Sequence, residues 1–217
     1  MRVNEIFLSI SGECGKIRQG EWCLFLRLAK CNLSCAYCDT TYALGNDGAT
    51  ISPREVFESL LEKGLNIQTP NLLITGGEPL LQQDELPQLL HLLNPYTIVQ
   101  IETNGTIVPN AGMIERVNCW VFDYKSTKLF KRELFDLAES YGRFKEFWFK
   151  FPIASEEDYQ VAKREALPHE LIRFAFSPIS PAVSPNDLYQ WIKRDRLTHV
   201  VLNCQIHKLL SLQERKA

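Results

Sequence analysis

From Trp22 onward, short runs rich in leucine, β-branched and aromatic residues alternate with segments whose apolar positions recur every three or four residues. The run Cys23-Leu24-Phe25-Leu26-Arg27-Leu28 reads as a buried strand. Ser52-Pro53 then opens a helix, with Ser52 as N-cap and Pro53 at the first helical position. Val56, Phe57, Leu60 and Leu61 form its apolar face, and Gly64 stops it. The pattern continues as strand 71–75, helix 85–93, strands 97–102 and 119–123, helix 131–141 and strand 146–151. Helix 156–164, strand 172–176, helix 186–194 and strand 199–203 complete it. Strands alternating with amphipathic helices predict an α/β fold built on a mainly parallel sheet. Such sheets carry their chemistry at the carboxyl ends of the strands. The polar and glycine-bearing motifs fall there: Cys31, Gly76-Gly77-Glu78, Thr103-Asn104-Gly105, Lys125, Ser177 to Ser180, and Gln205-Ile206-His207 each follow a strand.

Composition narrows the class. A chain of 217 residues without a linker-like stretch is expected to form one domain, 1–217. With 11% aromatic residues and a formal charge of −2, disorder is excluded and a broad nucleic-acid-coating surface is not expected. The uncharged apolar runs 72–75 and 199–202 are strand-sized, too short to span a membrane. Arg2 and Glu5 stand near the start and no apolar targeting stretch follows, so a reducing, cytoplasmic setting without membrane partners is expected. In that setting the seven cysteines, an odd count, point to metal or redox chemistry and not to bridges.

Three of them, Cys31, Cys35 and Cys38, fall within eight residues on the loop after the first strand. No second close pair completes a four-thiol zinc site, so a zinc ion would need a distant fourth ligand. A three-thiolate loop suits a 4Fe–4S cluster that leaves one iron open to a small molecule. Cys23 and Cys119 lie in apolar strands and read as packing residues; Cys14 and Cys204 carry no assignment. Arg27 interrupts an apolar strand, where a guanidinium needs a carboxylate partner, either from the protein or from a substrate.

The Cys-x3-Cys-x2-Cys spacing resembles the radical S-adenosylmethionine (SAM) superfamily, as does Thr75-Gly76-Gly77-Glu78-Pro79 at a strand end. Flanking residues extend the likeness over nearly the full length to the 7-carboxy-7-deazaguanine synthase family. The matching stretches are 5–13, Phe25-Leu26-Arg27-Leu28, Cys31 to Thr40, 74–82, 101–106, Ser177-Pro178-Ile179-Ser180, and 203–210. The resemblance implies a partial (β/α)6 radical SAM barrel, here trimmed of helices to fit the length, with segment 1–21 capping the active site.

It further implies a 4Fe–4S cluster on Cys31, Cys35 and Cys38, SAM, and Mg²⁺ held by Thr40, which as a bare sequence feature also reads as a turn residue. SAM contacts are implied at Tyr37, Cys38, Asp39, Gly77, Glu78, Asp123, Tyr124, Lys125, Ser177, Pro178, Ile179 and Ser180. Substrate contacts are implied at Ile10, Ser11, Gly12, Glu13, Arg27, Thr75, Gln205 and His207, the last equally readable as an ordinary C-terminal histidine. The implied reaction converts 6-carboxy-5,6,7,8-tetrahydropterin to 7-carboxy-7-deazaguanine with loss of ammonia in queuosine biosynthesis. A homodimer fed by an electron donor such as flavodoxin belongs to the same picture. The chain departs from the family pattern at Ser11, where a glutamine is usual, at Cys14, and at Asp123-Tyr124 in place of Ser-Pro. A glycyl-radical activase acting on a protein partner and a non-catalytic zinc module are the alternatives.

Overall fold

The computed structural model describes residues 1–125, 127–169 and 172–210. Its strands are β1 (Arg2–Ile10), β2 (Trp22–Leu28), β3 (Ala49–Thr50), β4 (Asn71–Gly76), β5 (Ile98–Thr103), β6 (Cys119–Asp123), β7 (Glu146–Ile153), β8 (Arg173–Pro178) and β9 (Val200–Leu202). They form one nine-stranded sheet in the order β3-β1-β2-β4-β5-β6-β7-β8-β9. Every pairing from β2 through β9 is parallel, while β1 runs antiparallel to both β2 and β3. The helices are α1 (Pro53–Glu62), α2 (Leu86–Leu92), α3 (Ala111–Arg116), α4 (Glu133–Tyr141), α5 (Glu156–Ala166), α6 (Pro185–Arg194) and α7 (Ile206–Leu209). The expected α/β fold is present, and α3, only six residues long, shows where the barrel is trimmed. Ser52 caps α1 as its sequence predicts, in a reciprocal box with Glu55.

Period-two alternation splits the parallel strands into two faces. Leu24, Leu26, Leu72, Ile74, Ile101, Phe122, Phe149, Phe174 and Phe176 enter the main core with apolar residues of the helices. The intervening positions Phe25, Arg27, Thr75, Glu102, Asp123, Lys150 and Ser177 line a shared cavity with Glu5, Phe7 and Ser9 of β1. Only a sheet curled into a partial barrel brings strands so far apart in its order to one lumen. Among the described residues, no helix is long and apolar enough to cross a membrane.

The N-terminal segment differs from expectation. Residues 2–10 are a strand, locked by Phe7 stacked on Phe25 with ring centroids 4.8 Å apart. Its polar lumen residues Glu5 and Ser9 obscure the apolar alternation of Ile6, Leu8 and Ile10. Beyond it, the chain descends into the barrel and forms its floor. Ile17 packs on Cys23 and Leu73, and Cys14 on Cys119, Val121, Trp148 and Ala175. The buried Gln100 accepts from the Ile17 N–H at 3.0 Å, tying this floor to β5. The C-terminal segment then latches onto the same stretch. Ile206 N donates to the Gly12 carbonyl at 3.1 Å, and Gln19 Nε2 donates to the Asn203 side chain at 3.1 Å and the Cys204 carbonyl at 2.6 Å.

Candidate active site

The lumen opens at the carboxyl ends of the strands as a cavity of about 410 Å³. The loop after β2 forms one wall, pinned where Lys30 N donates to the Ala43 carbonyl (2.9 Å) and Cys31 N to the Leu44 carbonyl (3.1 Å). Cys31, Cys35 and Cys38 all face the cavity. The Cys31 sulfur accepts from the Leu33 N–H at 3.4 Å and lies 3.8 Å from Asn104 Nδ2, which also donates to Asn32 Oδ1 at 2.9 Å. Among the described residues, no three His, Cys, Asp or Glu side chains converge as a single-ion cage requires. Zinc at about 2.3 Å from sulfur needs thiolates roughly 3.8 Å apart. A cubane takes one thiolate per iron, so its three ligands need not converge on one ion. Burial raises the Cys31 and Cys35 thiols above the ordinary value, a cost that bound iron reverses by its own charge.

Behind the cysteine loop lies the turn Gly76-Gly77-Glu78-Pro79. Gly77 N donates to the Leu28 carbonyl at 2.9 Å and Glu78 N to the Lys30 carbonyl at 2.8 Å. A Cβ on Gly77 would stand 2.1 Å from the Lys30 oxygen, so these glycines let two pieces of the protein's own backbone meet. Glu78 is fully buried, and its carboxylate accepts from Leu80 N (2.9 Å), Thr103 Oγ1 (2.7 Å) and Asn104 N (2.7 Å). It braces the end of β5 and does not line the cavity.

On the opposite wall, Lys125 Nζ sits 5.4 Å from the centre of the Tyr37 ring and 3.1 Å from Asp123 Oδ2. Asp123 Oδ1 is buried without a hydrogen-bond partner among the described residues. An orphaned carboxylate oxygen in a cavity is satisfied by a donor on a bound ligand, which fits SAM with its ammonium and hydroxyl groups.

Arg27 finds a protein carboxylate: its Nε donates to Glu5 Oε1 at 2.6 Å, and Tyr42 Oη donates to the same oxygen at 2.9 Å. Its guanidinium lies 5.6 Å from the Phe7 ring centre and 5.9 Å from that of Tyr42. The terminal amino groups form no hydrogen bond among the described residues. One edge of the fork is thus fixed, and the other is available to the cavity.

The deepest charges surround Lys150. Its ammonium pairs with Glu13 and lies 3.1 Å from Asp123, while Gln205 Nε2 donates to the other Glu13 oxygen at 2.6 Å. Burial opposes the Glu13 charge, but Lys150, then Gln205 and His207, outweigh it and hold the carboxyl at about 2. Burial likewise opposes the Lys150 charge, and Asp123, Glu13 and Glu102 overcome it, keeping its pKa well above the ordinary value. For Glu102 the balance is reversed: burial, then Glu13, outweigh the attraction of Lys150 and raise it to about 7. At the rim, Asp39 lies 3.1 Å from Lys208 Nζ and 3.8 Å from His207 Nε2. His207 packs so closely on Gly12 that a Cβ there would lie 2.1 Å from its Nδ1.

Of the residues singled out from sequence, Ile10, Gly12, Glu13, Arg27, Cys31, Cys35, Tyr37, Cys38, Asp39, Thr40, Thr75, Gly77, Asp123, Lys125, Ser177, Ile179, Gln205 and His207 share the cavity. Ser11, Glu78, Tyr124, Pro178 and Ser180 do not line it. Ser11 is buried with its hydroxyl turned to the carbonyls of Ile17 (3.2 Å) and Glu13 (3.4 Å). Tyr124 faces the core, its ring 4.4 Å from Phe130 and 4.6 Å from Phe151. Glu5, Tyr42, Glu102, Asn104 and Lys150 were not anticipated as site residues. Glu102 and Lys150 carry the same signal as Arg27, a charge inside an apolar strand.

The pattern of a model of the radical SAM superfamily matches residues 27–117. The 7-carboxy-7-deazaguanine synthase of Clostridium acetobutylicum is 31% identical, over 96% of this chain and 95% of that one. The chain belongs to the 7-carboxy-7-deazaguanine synthase family. The synthase of Chlorobaculum tepidum is 32% identical over 97% of this chain and 94% of its own. Among solved structures, QueE from Escherichia coli superposes with a TM-score of 0.69 at 22% identity, covering 94% of this chain and 93% of that one. That likeness shows the shared fold. As a radical SAM family member, the protein is an enzyme that uses a 4Fe–4S cluster and SAM.

Proposed function

We propose that this protein is the radical SAM lyase that converts 6-carboxy-5,6,7,8-tetrahydropterin to 7-carboxy-7-deazaguanine, releasing ammonia, in 7-deazapurine biosynthesis. The observation that carries this reading is Arg27, whose half-occupied guanidinium faces the same lumen as the three cysteines. A carboxylate on the substrate completes the fork. The cluster and SAM supply hydrogen-abstracting radical chemistry when bound. The chain's own side chains do the rest: Cys31, Cys35 and Cys38 hold the cluster, and Gly77, Tyr37, Asp123 and Lys125 frame SAM. Glu13 and Gln205 face the heterocycle with an acceptor and an amide, and the curled sheet excludes water.

Mg²⁺ at Thr40 is part of the proposal. The Thr40 hydroxyl lines the cavity 3.4 Å from Asp39 Oδ1, so the protein offers few oxygens there and the substrate carboxylate supplies more. In an anaerobic assay of the reconstituted enzyme, the pterin is expected to disappear and the deazaguanine to accumulate with no net loss of SAM. Omitting Mg²⁺ slows turnover. SAM spent while the pterin stays intact sinks this reading.

The proposal extends to a homodimer supplied by a flavodoxin-like donor. Trp22 and Leu8 lie 61% and 43% exposed and, by the β1–β2 register, on one face of the sheet. Aromatic anchors of this kind concentrate binding energy. Trp22→Glu is expected to weaken dimerisation at least tenfold in sedimentation equilibrium; an unchanged dimer places the interface elsewhere.

A further inference from the structure

Glu13 comes from an irregular stretch between β1 and β2, and its carboxylate is held by side chains. What fixes it arrives from distant parts of the chain. Lys150, in the middle of β7 and 4% exposed, pairs with one oxygen, and Gln205 donates to the other at 2.6 Å. The remaining ionisable groups that act on Glu13 and its partner are Asp123, Glu102, Lys125, His207 and Cys14. The arrangement is asymmetric. Asp123 keeps a second cation, Lys125, at 3.1 Å, whereas the full positive charge paired with Glu13 is that of Lys150.

We propose that Lys150 is a positioning residue for the pterin: it holds Glu13 as an ionised acceptor in the lumen and acts on substrate binding through Glu13. The SAM side is buffered because Asp123 retains Lys125 when Lys150 is gone. This inference rests on the pterin reading of the cavity.

The test measures equilibrium affinity of the reconstituted holoenzyme for the carboxypterin and for SAM, alongside kcat and KM, in four proteins: wild type, Lys150→Met, Glu13→Gln and the double variant. Lys150→Met is expected to weaken pterin binding at least tenfold and raise KM, with the SAM Kd within twofold of wild type. Because Lys150→Met leaves buried Glu13 without its cation and is the variant at risk of misfolding, the decisive comparison is Glu13→Gln against the double variant. Both lack the lone buried carboxylate, and adding Lys150→Met to Glu13→Gln is expected to change pterin affinity by less than twofold. A further loss of tenfold or more means that Lys150 acts on the ligand independently of Glu13, and overturns the proposal. An equal loss of SAM affinity in Lys150→Met also overturns it. Failure of the wild type to bind the pterin instead refutes the functional reading beneath it.

Discussion

Arg27→Met is expected to abolish efficient pterin turnover while leaving SAM binding intact. Arg27 lies on β2 with its side chain 14% exposed and its partner Glu5 13% exposed, so both charges sit largely out of water. Truncating one member of such a charge-assisted contact to a ligand costs about 2–5 kcal/mol, or roughly 30- to 4,000-fold in kcat/KM. Arg27→Lys is expected to recover only part of this, because an ammonium cannot bind Glu5 and a ligand carboxylate as the two edges of one planar fork. The methionine variant also strands Glu5, which costs stability of the order of 3 kcal/mol, lessened by the Tyr42 hydroxyl that still donates to it. The double variant Glu5→Gln/Arg27→Met separates the two effects: its thermal midpoint is expected to recover while its pterin affinity does not. Recovery of affinity in that protein, or wild-type kcat/KM in Arg27→Met, removes Arg27 from the substrate site.

What could be read from the chain alone follows the range of each interaction. The helix-facing core and the cysteine loop were legible because their determinants lie within a few residues: leucine alternation in 23–28, and three thiols in eight positions. Arg27 was legible as a misfit, though not which of two partners held it. Glu5 and Arg27 meet only because β1 pairs antiparallel with β2, and β1 itself was hidden by its polar lumen side. Lys150 and Glu13 are 137 residues apart and join only when the sheet curls. Glu78 shows the opposite limit. Its motif was visible, but motif membership does not say which way a side chain turns, and its carboxylate is consumed by Leu80, Thr103 and Asn104. Ser11 likewise turns its hydroxyl proton to the carbonyls of Ile17 and Glu13, an orientation no sequence motif records.

Gly77→Ala is expected to empty the cluster site without touching a cysteine. The new Cβ would lie 2.1 Å from the Lys30 carbonyl oxygen, 2.4 Å from its carbon and 2.8 Å from the Ala43 oxygen. All three are main-chain atoms, so no side chain can swing away to make room. Lys30 already sits at φ 76°, a left-handed conformation that a non-glycine residue holds only under constraint, and Cys31 follows it directly. Relief therefore has to come from the cysteine loop moving off the Gly-Gly turn, which breaks the Glu78 N to Lys30 carbonyl bond of 2.8 Å. Overpacking against fixed atoms costs about 3 kcal/mol or more, and the displaced loop carries the cluster ligands with it. Iron and sulfide bound after reconstitution are expected to fall well below wild type, together with the thermal midpoint. Gly112→Ala is the matched control. Its Cβ meets nothing closer than 3.6 Å inside helix α3, so it is expected to gain up to about 1 kcal/mol from helix propensity and to keep its iron. Normal iron content in Gly77→Ala would mean that the loop and the turn can separate without cost to the cluster, and that the close backbone approach is not what holds the three thiolates in place.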